Sequence, residues 1–192
     1  TGTRDVTLST VIALSGTSAI HLRITDDAGN VGTADTTSYI LDQTAPTISF
    51  ASVDISADTG TSAADFNTKT AAQTLTATLS AAMASGDVLK VSVNAGSSWS
   101  TVTNDVTGSP DTALSTAITL SGTSAIHLQI TDAAGNAGTA DTTSYILDTT
   151  APTITYASVD ISADTGSSAT DFITKTAAQT LTGTLSAAMA AD

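Results

Sequence analysis

The chain has 192 residues, of which 18 are acidic and only 5 are Lys or Arg, for a net charge of −13. Every acidic residue is Asp, cysteine is absent, and no apolar run reaches the ~18 residues that a membrane-spanning helix needs. Such a chain is expected to avoid nucleic acid and membrane insertion, can hold no disulfide or thiolate metal site, and suits hard divalent cations.

The sequence repeats itself at a constant offset. TSAIHL at Thr17–Leu22 returns at Thr123–Leu128, and 58 of the 70 positions from Thr17 to Gly86 match their partners in Thr123–Asp192. A period of this length marks a tandem array of small domains, each large enough to fold alone. With units starting at the TAPT tetrads, residues 44–149 form one complete repeat. Residues 1–43 are then the C-terminal part of a preceding repeat, and 150–192 the N-terminal part of a following one. Near-identical copies in series favour a spacer, fibre or multivalent surface, so no enzymatic activity is expected. No leader peptide pattern opens the sequence, and no N-x-[ST] acceptor occurs.

Within the complete repeat, period-two alternation of Thr, Ser, Val and Ile predicts strands. Thr47–Val53 reads as the first, followed by a long ordered loop over Asp54–Lys69. Thr74–Ser80 turns Leu75, Ala77 and Leu79 to one face. Val88–Val93 does the same with Leu89, Val91 and Val93, leaving Lys90 and Ser92 outside. Asn94–Gly96 makes a turn into Trp99–Val102. Leu114, Ile118 and Leu120 mark the next strand, and Ile126, Leu128 and Ile130 another, ending in the loop Asp132–Gly138. Thr142–Leu147 closes the unit. No stretch has helical periodicity, so the reading is an all-β fold of about seven strands per repeat, an immunoglobulin-like β-sandwich. Trp99 is expected at the centre of the core, and Phe50 and Tyr156 as core plugs at matching positions.

The loop Asp54–Asp65 is the strongest chemical signal. Oxygen-bearing side chains recur along it at Asp54, Ser56, Asp58, Ser62 and Asp65, and a cation that needs six to eight oxygens can be wrapped by one such loop. Asp160, Asp164 and Asp171 repeat the pattern. The competing reading is a loop of Asx turns that caps its own amides. Asp132 and Asn136, with their earlier copies Asp26 and Asn30, form a second signal. They are expected to approach both Asp42, the end of the preceding repeat, and Asp54–Asp65 of their own; Asp148 is the later copy of Asp42. Carboxylates that converge at a junction repel unless a cation lies between them. His21 and His127 read as surface residues. No nucleophile elbow supports a Ser-His-Asp triad.

LDTTAPT (Leu147–Thr153), SADTGSSATDFIT (Ser162–Thr174) and ITDAAGNAG (Ile130–Gly138) resemble the tandem immunoglobulin-like repeats of giant bacterial surface adhesins and biofilm-associated proteins. The resemblance spans the complete repeat and both partial ones. The chain departs from it at Phe66, at Phe172 and in the Ala-rich turn before Gly86, where relatives often carry glycine. The resemblance implies an extracellular extender stiffened by Ca2+, exported by type I secretion, whose partners are the neighbouring repeats. Alternatives are a glycan- or ice-binding module, or a matrix protein in which incomplete end repeats of different copies complement each other.

Overall fold

A computed structural model describes residues 7–102, 106–108 and 111–189; Arg4 of the charge count lies outside them. Residues up to Thr149 and from Thr150 onward form two compact units. Among the described residues every regular element is a strand.

The first unit opens with a hairpin of β1 (Thr17–Leu22) and β2 (Asp35–Ile40), paired antiparallel and forming a two-stranded sheet. The complete repeat follows with β3 (Phe50–Ile55), β4 (Asn67–Thr68), β5 (Ala72–Leu79), β6 (Val88–Ser92), β7 (Ser100–Val102), β8 (Val106–Gly108), β9 (Asp111–Thr119), β10 (Thr123–Thr131) and β11 (Asp141–Leu147). They form a four-stranded sheet in the order β3-β5-β9-β8 and a five-stranded sheet in the order β4-β11-β10-β6-β7. All pairings are antiparallel except that of β4 with β11. The second unit contains the hairpin of β12 (Tyr156–Ile161) and β13 (Leu181–Leu185).

The core of the complete repeat lies between its two sheets. Leu75, Ala77 and Leu79 of β5, with Leu114 and Ile118 of β9, meet Leu89 and Val91 of β6 and Ile126, Leu128 and Ile130 of β10. Alternation drives this arrangement, because successive side chains of a strand face opposite ways. Tyr145 is the largest fully buried side chain; its hydroxyl donates to the Val93 and Ser121 carbonyls at 2.7 and 3.2 Å.

Several expectations are corrected. Among its described residues the complete repeat has nine strands, because short β4 and β8 pair with β11 and β9. Its first strand starts at Phe50, and a bulge between Ala51 and Asp54 places Ser52 at φ 50°. Trp99 is 36% exposed and lies edge-on to His127, with ring centres 6.1 Å apart, so the core centre belongs to Tyr145. The turn after β6 brings this about, since it carries the indole over the outer face of β10. Ser92 is buried, because its hydroxyl accepts from the Gly96 amide and donates to Asn94 Oδ1. Phe50 is buried, whereas Tyr156 at the matching position is 74% exposed.

Candidate metal-binding loops and the repeat junction

The Asp54–Asp65 loop is organised by a residue that the charge pattern does not highlight. Gln73 shares the parity of Leu75, Ala77 and Leu79 on β5, so the strand carries its polar side chain inward, where it is 4% exposed. Its Oε1 accepts from the Ala57 amide at 2.8 Å and the Ser56 hydroxyl at 3.2 Å. Its Nε2 donates to the carbonyls of Ala57 and Thr70 at 3.1 and 2.7 Å. The Thr68 hydroxyl adds a donation to the Ala57 carbonyl at 2.5 Å. A buried amide satisfied this fully fixes the loop's path. The sequence signal was present in the alternation: a glutamine at a core register position.

Gly60 makes the tight closure possible, because a Cβ there would meet the Asn67 carbonyl at 2.9 Å. Phe66 then adopts φ 59°, a conformation rare for a bulky residue. It is held there from both sides. Its amide donates to Asp58 Oδ2 at 2.9 Å, and its carbonyl accepts from the Ile146 amide at 3.0 Å.

The predicted oxygen ligands therefore divide. Asp54 Oδ1 accepts from the Ile55 amide, Ser56 is engaged with Gln73 and the Thr74 amide, and Ser62 accepts from the Ala64 amide. These residues cap local backbone and side chains. Asp65 Oδ1 accepts from the Asn67 amide at 3.0 Å and sits beside Gly60. Asp58 is different. With Oδ2 on the Phe66 amide, its Oδ1 is shielded from solvent and has no hydrogen-bond partner.

The second unit repeats this arrangement. Gln179 binds the Ala163 amide and the Ala163 and Thr176 carbonyls, Asp160 Oδ1 accepts from the Ile161 amide, and Asp171 Oδ1 accepts from the Ile173 amide. Phe172 has φ 60°, and Asp164 Oδ1 is again shielded and unpartnered. A buried carboxylate oxygen without a donor is costly unless a cation or water satisfies it, and hard oxygen of this kind suits Ca2+.

The Asp132–Gly138 loop is a compact turn. Asp132 Oδ1 accepts from the amides of Ala134 and Asn136 at 2.9 and 2.8 Å, and Oδ2 from Asn136 Nδ2 at 2.8 Å. These bonds, led by the Asn136 side chain, hold the Asp132 carboxyl below its ordinary value of 3.8, with partial desolvation opposing them. Asp26 and Asn30 form the same turn, and the Asn30 side chain leads the same downward shift at Asp26. Asn136 makes one bond more: Nδ2 donates to the Asp42 carbonyl at 3.1 Å. Asp42 Oδ1 accepts from the Thr44 amide, which forms an Asx turn in the linker. Gly138 lets the linker pass, since a Cβ there would lie 2.6 Å from the Pro46 carbonyl.

The structure thus brings Asn136 to Asp42 but does not bring it to Asp54–Asp65. Phe66 and Thr68 contact Ile146 and Asp148 at the far end of β11, through Ile146 N to Phe66 O and Asp148 N to Thr68 O. The Asp132 loop lies before the start of that strand. Seven residues of β-strand separate the two loops by about 20 Å. The parallel pairing of β4 with β11 is the cause, because it carries the acidic loop to the downstream end beside Asp148. Among the described residues no three Asp or His side chains gather into one cluster.

No protein-family model matches this chain, and no curated protein does.

Proposed function

We propose that the chain is a segment of a structural extender of a bacterial cell surface, built from immunoglobulin-like repeats and stiffened by calcium. The observation that carries this reading is the hydrogen bond from Asn136 to the Asp42 carbonyl: a loop of one repeat holds the end of the repeat before it. The 58 matches in 70 positions support it, since serial identical units serve reach rather than catalysis. The resemblance of the DTTAP, DTGSSATD and DAAGN segments points to the same class.

Calcium fits the unpartnered Asp58 and Asp164 oxygens. Asp58 and Asp65 would hold it in the complete repeat, and Asp164 and Asp171 in the following one. When bound, the ion supplies positive charge to a chain with 13 excess negative charges. Extracellular sites of this kind have dissociation constants of about 10⁻⁴–10⁻³ M, so they fill outside a cell and stay empty in cytosol. The protein's own part is to preorganise the loop: Gln73 and Thr68 fix its path, Gly60 allows it to close, and Asp58 anchors Phe66.

Small-angle scattering of the 192-residue chain tests the extender reading. Added calcium should increase the maximum dimension and sharpen its distribution relative to chelator, and Asp58→Asn with Asp164→Asn should remove the difference. Superimposable profiles in both conditions would refute calcium stiffening.

The exposure of Trp99 beside His127 favours a second reading, a glycan-binding face, because sugars stack on exposed aromatics. Binding on a glycan array that disappears with Trp99→Ala would support it.

A further inference from the structure

We infer that the outer face of the five-stranded sheet, around Trp99, Lys90 and His127, binds carboxylated sugars. The inference rests on the glycan-binding reading of Trp99 and narrows it to an acidic ligand. All three residues belong to the complete repeat.

The turn between β6 and β7 holds Trp99 at the surface. Asn94 Oδ1 accepts from the Ser92 hydroxyl at 2.8 Å and the Ser98 amide at 2.9 Å, and Nδ2 donates to the Ser98 hydroxyl at 2.8 Å. The Ala95 amide donates to the Ala125 carbonyl at 3.1 Å, which ties the turn to β10. Ala95 adopts φ 54°, a conformation that costs energy in a residue with a side chain. Gly96 then packs against the imidazole, since a Cβ there would meet His127 Nδ1 at 3.3 Å. The indole and the imidazole are thereby set edge to face, with 61° between their planes. An aromatic platform fixed before the ligand arrives lowers the ordering cost of binding.

Strand register supplies the charge. Ser92 lies opposite His127, and Lys90 lies between Thr101 of β7 and Gln129 of β10. Lys90 and His127 are therefore diagonal neighbours on the outer face, roughly 7–8 Å apart. Trp99 immediately precedes β7, beside Ser92. The three side chains border a patch that one sugar ring with its carboxylate covers.

The surroundings favour an anion. Lys90 is one of only five Lys or Arg residues in a chain of net charge −13. No Asp occupies an outward position on β6, β7, β10 or β11; Asp141 lies opposite inward Leu128. A cation set among neutral side chains makes this face a local attraction for negative charge in an otherwise acidic chain. The Lys90 ammonium pairs with the carboxylate. The C–H face of the ring carries slight positive charge and stacks on the indole π-face. The His127 ring nitrogens and the exposed Thr101 hydroxyl bond the sugar hydroxyls.

Titration of the 192-residue chain with uronic-acid and sialic-acid trisaccharides, each beside its neutral counterpart, tests the proposal. Trp99 is the only Trp, so its emission reads stacking directly. At least one acidic sugar should change that emission saturably. It should bind about tenfold more tightly than its neutral counterpart, the contribution of one charge-assisted bond. Lys90→Gln should bring the acidic sugar to the neutral level while Trp99 emission without sugar stays unchanged. In calorimetry Trp99→Ala should abolish binding of both. Equal binding of acidic and neutral sugars would overturn the acidic class and leave the glycan reading standing. No binding by any sugar would overturn both. An acidic preference that survives Lys90→Gln would put the carboxylate elsewhere and overturn the proposal. Poly-aspartate that binds more tightly than every sugar would make the face a dock for acidic protein and overturn it as well.

Discussion

Residues 113–119 and their earlier copy, residues 7–13, pose a controlled comparison. DTALSTAIT at 111–119 forms β9 along its whole length, whereas TLSTVIA at 7–13, which shares Leu, Ser, Thr and Ile at matching positions, forms no strand. The difference is the neighbour. β9 is paired with β5, whereas among the described residues no strand pairing includes residues 7–13. The other end shows the same effect. β5 begins at Ala72, but β13 begins only at Leu181, three residues later by register; β5 pairs with both β3 and β9, whereas among the described residues β13 pairs with β12 alone. β4 pairs with β11, and the matching Ile173–Thr174 forms no strand.

Other features do not depend on the neighbour. The Gln73 network recurs at Gln179, the Asp132 turn recurs at Asp26, and the hydroxyl of Tyr39 exchanges hydrogen bonds with Ser15 as that of Tyr145 does with Ser121. Short-range side-chain to backbone bonds are thus encoded within about 25 residues, while strand length and burial are long-range properties of the pair of sheets.

The largest predicted effect widens this contrast. Leu75→Ala removes a 0% exposed side chain and should destabilise the complete repeat by about 2–5 kcal/mol. Leu181→Ala, the same change on an exposed face, should cost that repeat less than about 0.5 kcal/mol. Denaturant unfolding followed by Trp99 fluorescence compares them, and equal losses would contradict the local-versus-long-range division.

A smaller effect is expected at the glutamines. Gln73→Ala takes the acceptor from the half-buried Ala57 amide and should cost about 1–3 kcal/mol in the same assay. Gln179→Ala should leave Trp99-monitored unfolding unchanged. Hydrogen exchange at Ala163 would nevertheless rise, showing that the second network is real but separate.

The pH effect is the smallest. Asp132 and Asp26 are held below 3.8 by their turns, so each stabilises its turn above about pH 3.8, and the contribution disappears as pH falls through the lower folded value. Asn136→Ala removes the leading cause and should move the Asp132 midpoint upward in a carboxylate NMR titration, while Asp26 stays where it was. A shift at both residues would mean that the turns are coupled.

Much of the fold could be read from the sequence, for reasons the comparison makes plain. Leu75, Ala77, Leu79, Ile126, Leu128 and Ile130 alternate cleanly, and all are buried. Trp99 escaped that logic, because hydrophobicity alone cannot distinguish a core position from an outer face that a turn happens to cover. The candidate site was legible as a list of oxygens but not as an arrangement. Nothing in DISADTGTSAAD reveals that β4 pairs in parallel with β11 and draws the loop to Asp148 rather than to Asp132. Nor does its spacing distinguish Asp54, which caps its own backbone, from Asp58, whose Oδ1 is left without a donor.

Calcium titration calorimetry on the 192-residue chain tests the central claim most directly. The account predicts saturable binding in the range of about 10⁻⁴–10⁻³ M, reduced by Asp58→Asn and abolished when Asp164→Asn is added. The absence of binding heat at several temperatures, or binding untouched by both substitutions, would contradict it.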